Sequence, residues 1–564
     1  VKKISILSIL ALSLIFGCTS EKEIIPNAEM FRLNQLGYYP NSVKQFVVAD
    51  MPAQAYKVVD ESGTTVFSGN LSDKGTWDMS GEKVMMGDFS KLTKSGRYYI
   101  FVDDSISSFP FEVKEGLYTE ALNAAIKSYY FQRASIPIYE QYGGIYHRVA
   151  GHPDMNCAFH PSTGKTDGTL DSPGGWYDAG DYGKYIGNAS LSTGQMLDLL
   201  EMFPDIIPDN TLDIPESGNG ISDLWDELKY ELDWVLTMQD EDGGVYHKLT
   251  AKNFSEFIMP GEYDLDRLII GKGTAATLNF SAVLAQASRL YQDIDTLWSA
   301  KALQASAKAF EWALQHDNIP YANPTDVATG AYDDTVFDDD FFWAASELFI
   351  TTQNQKYAGA MKNYSQAYRH QLTNSWKFFV RNNAFHSLLL NRDMLDTASR
   401  EALISGHLVL ADSLLNRILS NPYHVALHRY EWGSNSDVLN QAMILCFAHY
   451  LTGDEKYLAG AEQINDYIFG KNATGYCFLT GYGFKRVMFP HHRPSGADGI
   501  DDPIPGFIAG GPNNDRQDKG SVDYPSDYPA KAYLDVEASY ASNEVCLNWN
   551  APAVFVMGYL QKVR

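Results

Sequence analysis

Gly174-Gly175-Trp176-Tyr177-Asp178-Ala179-Gly180-Asp181-Tyr182-Gly183-Lys184 places two carboxylates three residues apart, joined only by Ala and Gly and flanked by aromatic rings. Small residues let the backbone turn sharply and come close to a ligand. Asp178 and Asp181 can then point into one small space. Like charges repel there, so the pair needs a purpose or a counter-ion. Spacing alone leaves three readings: a metal site, an acid/base site, or a turn whose Asp side chains bond their own backbone. Of these, the turn is the commonplace outcome. The flanking rings shift the balance toward a sugar site, which needs a face for the ring and an acid for the bond.

Other stretches carry candidate chemistry too. Gly330-Ala331-Tyr332-Asp333-Asp334-Thr335-Val336-Phe337-Asp338-Asp339-Asp340 supplies five carboxylates. These are hard oxygen ligands of the kind calcium prefers, without EF-hand spacing. An acidic helix start, favoured by the helix dipole, explains them equally. Trp432, beside Gly433, is either a sugar-stacking platform or a buried core ring. His491, His492 and Arg493 are adjacent in a Gly- and Pro-rich stretch. They lack the i, i+4 spacing of a helical zinc motif, and Arg offers a fixed fork of donors to a polar ligand. Glu544 stands between polar residues and an apolar helix start. A carboxyl walled by apolar groups has its pKa raised and stays protonated near neutrality. The plain alternative is a helix N-terminal Glu satisfying backbone donors.

These residues need elements to position them. At 564 residues, two domains are expected. From about 30 to 115, β-branched and aromatic runs such as Phe46-Val47-Val48 and Tyr98-Tyr99-Ile100-Phe101-Val102 alternate with turn residues. That spacing predicts a small antiparallel sandwich. From Leu117 the period becomes helical. Ile221, Leu224, Trp225, Leu228, Leu232, Val235 and Leu236 share one face. Further helices are expected near 118–133, 189–203, 276–292, 298–315, 340–352, 355–370, 396–418, 437–452, 455–469 and 551–563. Such a series predicts a closed bundle or an α/α barrel whose loops build the site. Asp178 and Asp181 fall in a loop-like stretch, 142–188, and long loops are more often functional than incidental.

Lys2 and Lys3 precede an apolar run, Ile4 to Phe16, ending at Gly17-Cys18, which reads as a signal peptide. Small residue plus Cys resembles a bacterial lipobox, in which Cys18 is acylated. Acids just behind it resemble the export signal of surface lipoproteins in the Bacteroidetes. The expected place is therefore the outer membrane, anchored through lipid and facing the outside. No later segment reads as a spanning helix. The formal charge of −26 argues against nucleic acid and anionic polymers, which would be repelled; it is compatible with a neutral substrate, and solubility is its plain cause. Cys157, Cys446, Cys477 and Cys546 are too scattered to read as a disulfide framework.

Taken together, the motifs resemble glycoside hydrolase family 9, the inverting cellulases. The Gly174–Lys184 stretch resembles the family's base motif. Thr480-Gly481-Tyr482-Gly483 through His491 and Arg493 resembles its first signature. Tyr533, Asp535, Tyr540, Glu544 and Asn550-Ala551 resemble its second. Arg32-Leu33-Asn34-Gln35-Leu36-Gly37-Tyr38 opens what is similar to the immunoglobulin-like domain of one branch. The resemblance implies a signal peptide (1–17), a linker (18–29), an immunoglobulin-like β-sandwich (30–115) and an (α/α)6 barrel (116–564).

It further implies that Asp181 is the general base, that Asp178 helps hold the attacking water, and that Glu544 is the general acid. Inversion asks for base and acid on opposite sides of the sugar, roughly 6.5–9.5 Å apart, so that water fits between. His491 and Arg493 would bond sugar hydroxyls, and Trp432, Tyr540 and Trp549 would line the cleft. Asp339 and Asp340 match a pair that binds calcium in some relatives. Other relatives hold zinc upstream of the base motif, but Gln132-Arg133-Ala134 has Ala where a ligating Cys is expected, so no zinc is implied. Cys477 and Cys546 depart from the signatures; neither is expected to touch the chemistry, although Cys546 stands close to Glu544. The implied reaction is endo-hydrolysis of a neutral β-1,4-glucan (xyloglucan, mixed-linkage or cellulose-like) without a catalytic cofactor. The competing readings are a non-catalytic surface glycan-binding protein, an exo-acting relative, and a lyase, whose uronate substrates suit this charge poorly.

Overall fold

The computed structural model describes residues 28–103, 106–365 and 380–564. The signal segment and Cys18 lie outside the described residues. Among the described residues nine strands build the N-terminal part: β1 (Phe31–Arg32), β2 (Gln45–Ala49), β3 (Ala55–Asp60), β4 (Thr65–Asn70), β5 (Ser72–Thr76), β6 (Lys83–Asp88), β7 (Gly96–Val102), β8 (Ile106–Ser107) and β9 (Phe111–Val113). One sheet runs β1-β2-β6-β5. The other runs β4-β3-β7, with β8 and β9 also on β7. Along β7, Tyr98, Ile100 and Val102 are buried, because successive side chains take opposite faces. Phe46 and Val48 fill the sandwich core, while Val47 and Val84 belong to the core of the helical domain. The β2–β6 sheet thus buries both faces and docks the sandwich on the barrel. Polar bonds fix the docking: Asn34 Nδ2 donates to Asp466 at 2.8 Å, and Glu82 accepts from Arg32, Tyr423 and Lys531.

The helical part is an (α/α)6 barrel, as the resemblance implied. The inner helices are Ile186–Met202, Thr274–Leu290, Asp338–Thr352, Arg381–Leu390, Ser434–Thr452 and Leu547–Val563. Successive inner helices pack on one another, the last packs on the first, and Arg381–Leu390 meets Ser434–Thr452 only lightly. Between Arg381–Leu390 and Ser434–Thr452, His386 stacks on Phe447 with ring centres 4.1 Å apart. The outer helices are Thr119–Gln132, Asp223–Thr237, Thr296–Gln315, Gln355–Ser365, Thr397–Leu419 and Glu455–Ile468. Outer helices bury one stripe: Asp223–Thr237 turns Leu224, Leu228, Leu232 and Val235 inward. Inner helices are buried nearly all round and carry no such stripe. Arg381–Leu390, missing from the expected series, spans ten residues and opens on Arg-Asn-Asn, so it offers neither a stripe nor a long apolar run.

Two expectations need correction. The 142–188 stretch is not simply loop. Three short strands within it, Cys157–Phe159, Thr169–Leu170 and Lys184–Tyr185, join Tyr246–Thr250 and Leu268–Lys272 in a five-stranded sheet. Strands of two or three residues are too short to show a period. Second, Thr397–Leu419 is long and apolar enough to cross a membrane by length and composition. Here it is an outer helix, laying His407, Ala411, Leu414 and Ile418 toward the Ser434–Thr452 helix.

Candidate active site

The candidate residues gather where inner helices begin: Asp178 and Asp181 ahead of Ile186, Trp432 ahead of Ser434, and Glu544 ahead of Leu547. Backbone bonds stitch their segments together. Ala179 bridges Cys546, and Leu547 N–H donates to the Asp178 carbonyl at 2.9 Å. His491 bridges Glu544, and its N–H donates to the Asn543 carbonyl at 2.9 Å. Arg493 N–H reaches the Gly180 carbonyl at 3.1 Å, and its guanidinium reaches the same oxygen at 2.7 Å. Gly180 is required: a Cβ there would sit 2.1 Å from the His491 carbonyl oxygen.

Asp178 is 1% exposed. Asn188 donates to one of its oxygens at 2.8 Å and the Tyr332 phenol to the other. Burial, then the charge of Asp181, pushes Asp178 up to about 8, against those two donors. Asp181 accepts from Gly183 N–H at 3.0 Å and from the Tyr185 phenol at 3.2 Å. Glu544 keeps one edge toward solvent. Burial raises it well above the ordinary value, and the charges of Asp181 and Asp178 add to this. The three carboxyls therefore share one electrostatic space. Asp178 and Glu544 both favour the protonated form there, so Glu544 holds the proton that an acid must give.

The match to known proteins decides the family. Residues 118–557 match glycosyl hydrolase family 9, and residues 27–107 match the cellulase N-terminal ig-like domain. The chain belongs to glycosyl hydrolase family 9. It is similar to a xyloglucan-specific endo-beta-1,4-glucanase from Bacteroides ovatus, 40% identical over 98% of this chain and 97% of the relative. Endoglucanase D of Acetivibrio thermocellus is 32% identical over 93% of this chain and 82% of its own length. Among solved structures, a Bacteroides ovatus family 9 protein superposes with a TM-score of 0.88 at 39% identity, covering 95% of this chain and 99% of its own. A single mutant of a thermostable endoglucanase from Alicyclobacillus acidocaldarius gives 0.87 at 28% identity, covering 95% of this chain and 100% of its own.

Around this family 9 centre runs a line of rings. Trp432, 43% exposed, lies 5.4 Å from Tyr540. Tyr540 lies 6.0 Å from His491, which lies 5.1 Å from Phe257. Arg493 rests over Phe257 and over Phe254, itself 47% exposed. His491 donates from Nδ1 to the Glu537 carbonyl at 2.7 Å, leaving Nε2 as an acceptor. Burial pushes its pKa down to about 4, so the ring is neutral. Arg493 is committed to Ser255 and Gly180, so its visible role is to hold the 178–181 loop. His492 is buried against Gln132 and Ser495. Trp549 departs from the expectation. It is 8% exposed, clusters with Ala179 and Cys546, and backs the wall from behind, where Gly433 and Gly510 leave room for its indole.

The expectation for Cys546 is also corrected, since its thiol lies 4.0 Å from Asp178 Oδ2. Asp339 and Asp340 begin the Asp338–Thr352 helix, buried, and burial raises both, Asp339 to about 8. Among the described residues no three His, Cys, Asp or Glu side chains converge as a metal group. Upstream of the base motif, His152 bonds the Tyr177 phenol at 2.6 Å. Burial, then Arg267, drives it down to about 2. With Arg267 and Lys184 both paired to Asp154, this is cationic ground that does not fit zinc.

The sequence reading missed Tyr332, Tyr185, Asp437 and the Phe254–Phe257 loop. Tyr332 lay in a stretch read only for its carboxylates. Asp437, on the first turn after Trp432, has no hydrogen-bond partner among the described residues. Burial, then Glu431, lifts it to about 8.

Proposed function

We propose that this protein is an endo-acting, inverting β-1,4-glucanase that takes xyloglucan, with Asp181 as base, Asp178 as second holder of the water, and Glu544 as acid. The observation that carries the reading is the backbone stitching of the 178–181 and 544–547 segments, which keeps three carboxyls in one charge-coupled space. Glu544 gives its proton to the glycosidic oxygen as the bond breaks. Asp181 takes a proton from the water that attacks the anomeric carbon from the opposite face, so configuration inverts. No cofactor is needed, because both protons have a side chain to move them. Endo action is supported by the ring line, which runs past the acid and ends in exposed aromatics, Trp432 and Phe254. Xyloglucan is supported by the Bacteroides ovatus relative. The lipobox-like Gly17-Cys18 and the acids behind it support an outer-membrane lipoprotein that meets glucan at the cell surface.

The test compares reducing-end release from xyloglucan and from unbranched β-1,4-glucan, with NMR of the first product. The α anomer and internal cuts in xyloglucan are expected. Release of the β anomer, or of a single small product from chain ends, defeats the reading.

A further inference from the structure

Lys248 lies in the Tyr246–Thr250 strand, paired with Tyr185, and is fully buried. Its ammonium has no carboxylate within ion-pair distance among the described residues. It is held instead by neutral oxygens of one connection: Asn323 Oδ1 at 2.8 Å, the Gly330 carbonyl at 2.7 Å, and the Thr329 hydroxyl and carbonyl at 3.2 and 3.3 Å. The neighbouring His247 donates from Nε2 to the next carbonyl, Ala331, at 2.8 Å. Two adjacent residues of a sheet strand thus grip two consecutive carbonyls. Tyr332 follows at once. Its backbone is left-handed, with φ 47, a costly conformation for a bulky residue that persists only where its surroundings enforce it. Its phenol reaches Asp178.

We propose that Lys248 is a positioning residue of the catalytic centre: its buried ammonium latches the 323–331 connection and so delivers Tyr332 to Asp178. The inference rests on the reading that Asp178 serves the reaction. Burying an ammonium without a counter-charge is costly, and such costs collect at functional sites. Burial pushes Lys248 down to about 7, and Asp181 pulls it back up. The Tyr185 and Tyr321 rings lie 5.5 and 5.7 Å from the ammonium.

The experiment is a double-mutant cycle with Lys248→Met and Tyr332→Phe, read as kcat and KM on a soluble xyloglucan oligosaccharide, with thermal melts of every variant. Each single change should lower kcat by about 10- to 100-fold with KM within about twofold. The double variant should be no slower than the slower single, because both act through one contact. Losses that multiply, a kcat unchanged in either single variant, or an effect confined to KM would overturn the latch. If Lys248→Met does not fold, Asn323→Ala, which leaves the ammonium but removes one of its holders, takes its place in the cycle. The base assignment is judged separately: Asp181→Asn should be inactive whatever the cycle shows.

Discussion

The backbone N–H of Leu547 donates to the carbonyl oxygen of Asp178 across 2.9 Å. The first turn of the last inner helix is thereby tied to the loop that precedes the first inner helix. The ring of six inner helices closes at this seam, and Asp178, Asp181 and Glu544 act on one another's charge there. Their spacing is set by backbone bonds, which yield less than side-chain contacts do.

Gly180 tests that seam. With no room for a Cβ against the His491 carbonyl, Gly180→Ala must push the 178–181 loop from the 491–493 segment. A displacement of about 1 Å at a reacting centre costs on the order of 100-fold. A kcat lower by at least that factor is expected, with KM little changed. Near-normal turnover would show that the seam does not set the geometry.

The two proton-transfer roles separate by leaving group. Asp181→Asn should lower kcat by about 10³-fold or more on every substrate, because the water loses its base. Glu544→Gln should be as slow on glucan yet recover strongly on an aryl glycoside whose leaving group needs no proton. Equal loss on both substrates would remove Glu544 from the acid role. Circular dichroism confirms that each variant is folded.

The pH dependence follows from raised carboxyls. Burial first, then Asp181 and Asp178, holds Glu544 above its ordinary range, so the acid keeps its proton as pH rises and loses it only through that raised value. The alkaline limb of kcat/KM should therefore lie well above 4.5, the ordinary value. Stability has the same sign. Asp178 and Asp437, each raised from 3.8 to about 8, contribute stability that is complete below 3.8 and lost as pH climbs through about 8. Between about pH 5 and pH 8 the Tm of Asp437→Asn should therefore fall less, or rise more, than that of the parent. Parallel Tm profiles for parent and variant contradict the argument.

The ring line predicts a length effect. Trp432→Ala and Phe254→Ala should each raise KM on polymeric xyloglucan by about 10-fold, as expected for losing one stacking face of about 1–2 kcal/mol. The effect on a short oligosaccharide that does not reach the ring should be much smaller. Equal effects on both substrates would mean that these rings serve folding rather than binding.

Calcium is tested by chelation. Asp339 and Asp340 are buried, burial raises both, and no third His, Cys, Asp or Glu converges with them as a metal group among the described residues. EDTA should leave Tm unchanged to within a degree or so. A fall of several degrees that added calcium restores would place a cation on Asp339 and Asp340.

The amino-acid sequence alone determined what local order can carry. The 3.6-residue stripe of Leu224, Leu228, Leu232 and Val235 announces a helix, the alternation of Tyr98, Ile100 and Val102 announces a strand, and Asp178, Asp181 and Glu544 stand in motifs whose residue types belong to acid/base chemistry. Only the tertiary structure decided which groups those carboxyls meet. Tyr332 reaches Asp178 across 154 positions, a separation that carries no period. Arg381–Leu390 buries every face and so shows no stripe, and Trp549 reads like Trp432 until burial puts one behind the wall and leaves the other at the surface. Chain-local patterns record which side of an element avoids water. Convergence depends on how a dozen helices close into a ring, and that closure is a property of the packed whole.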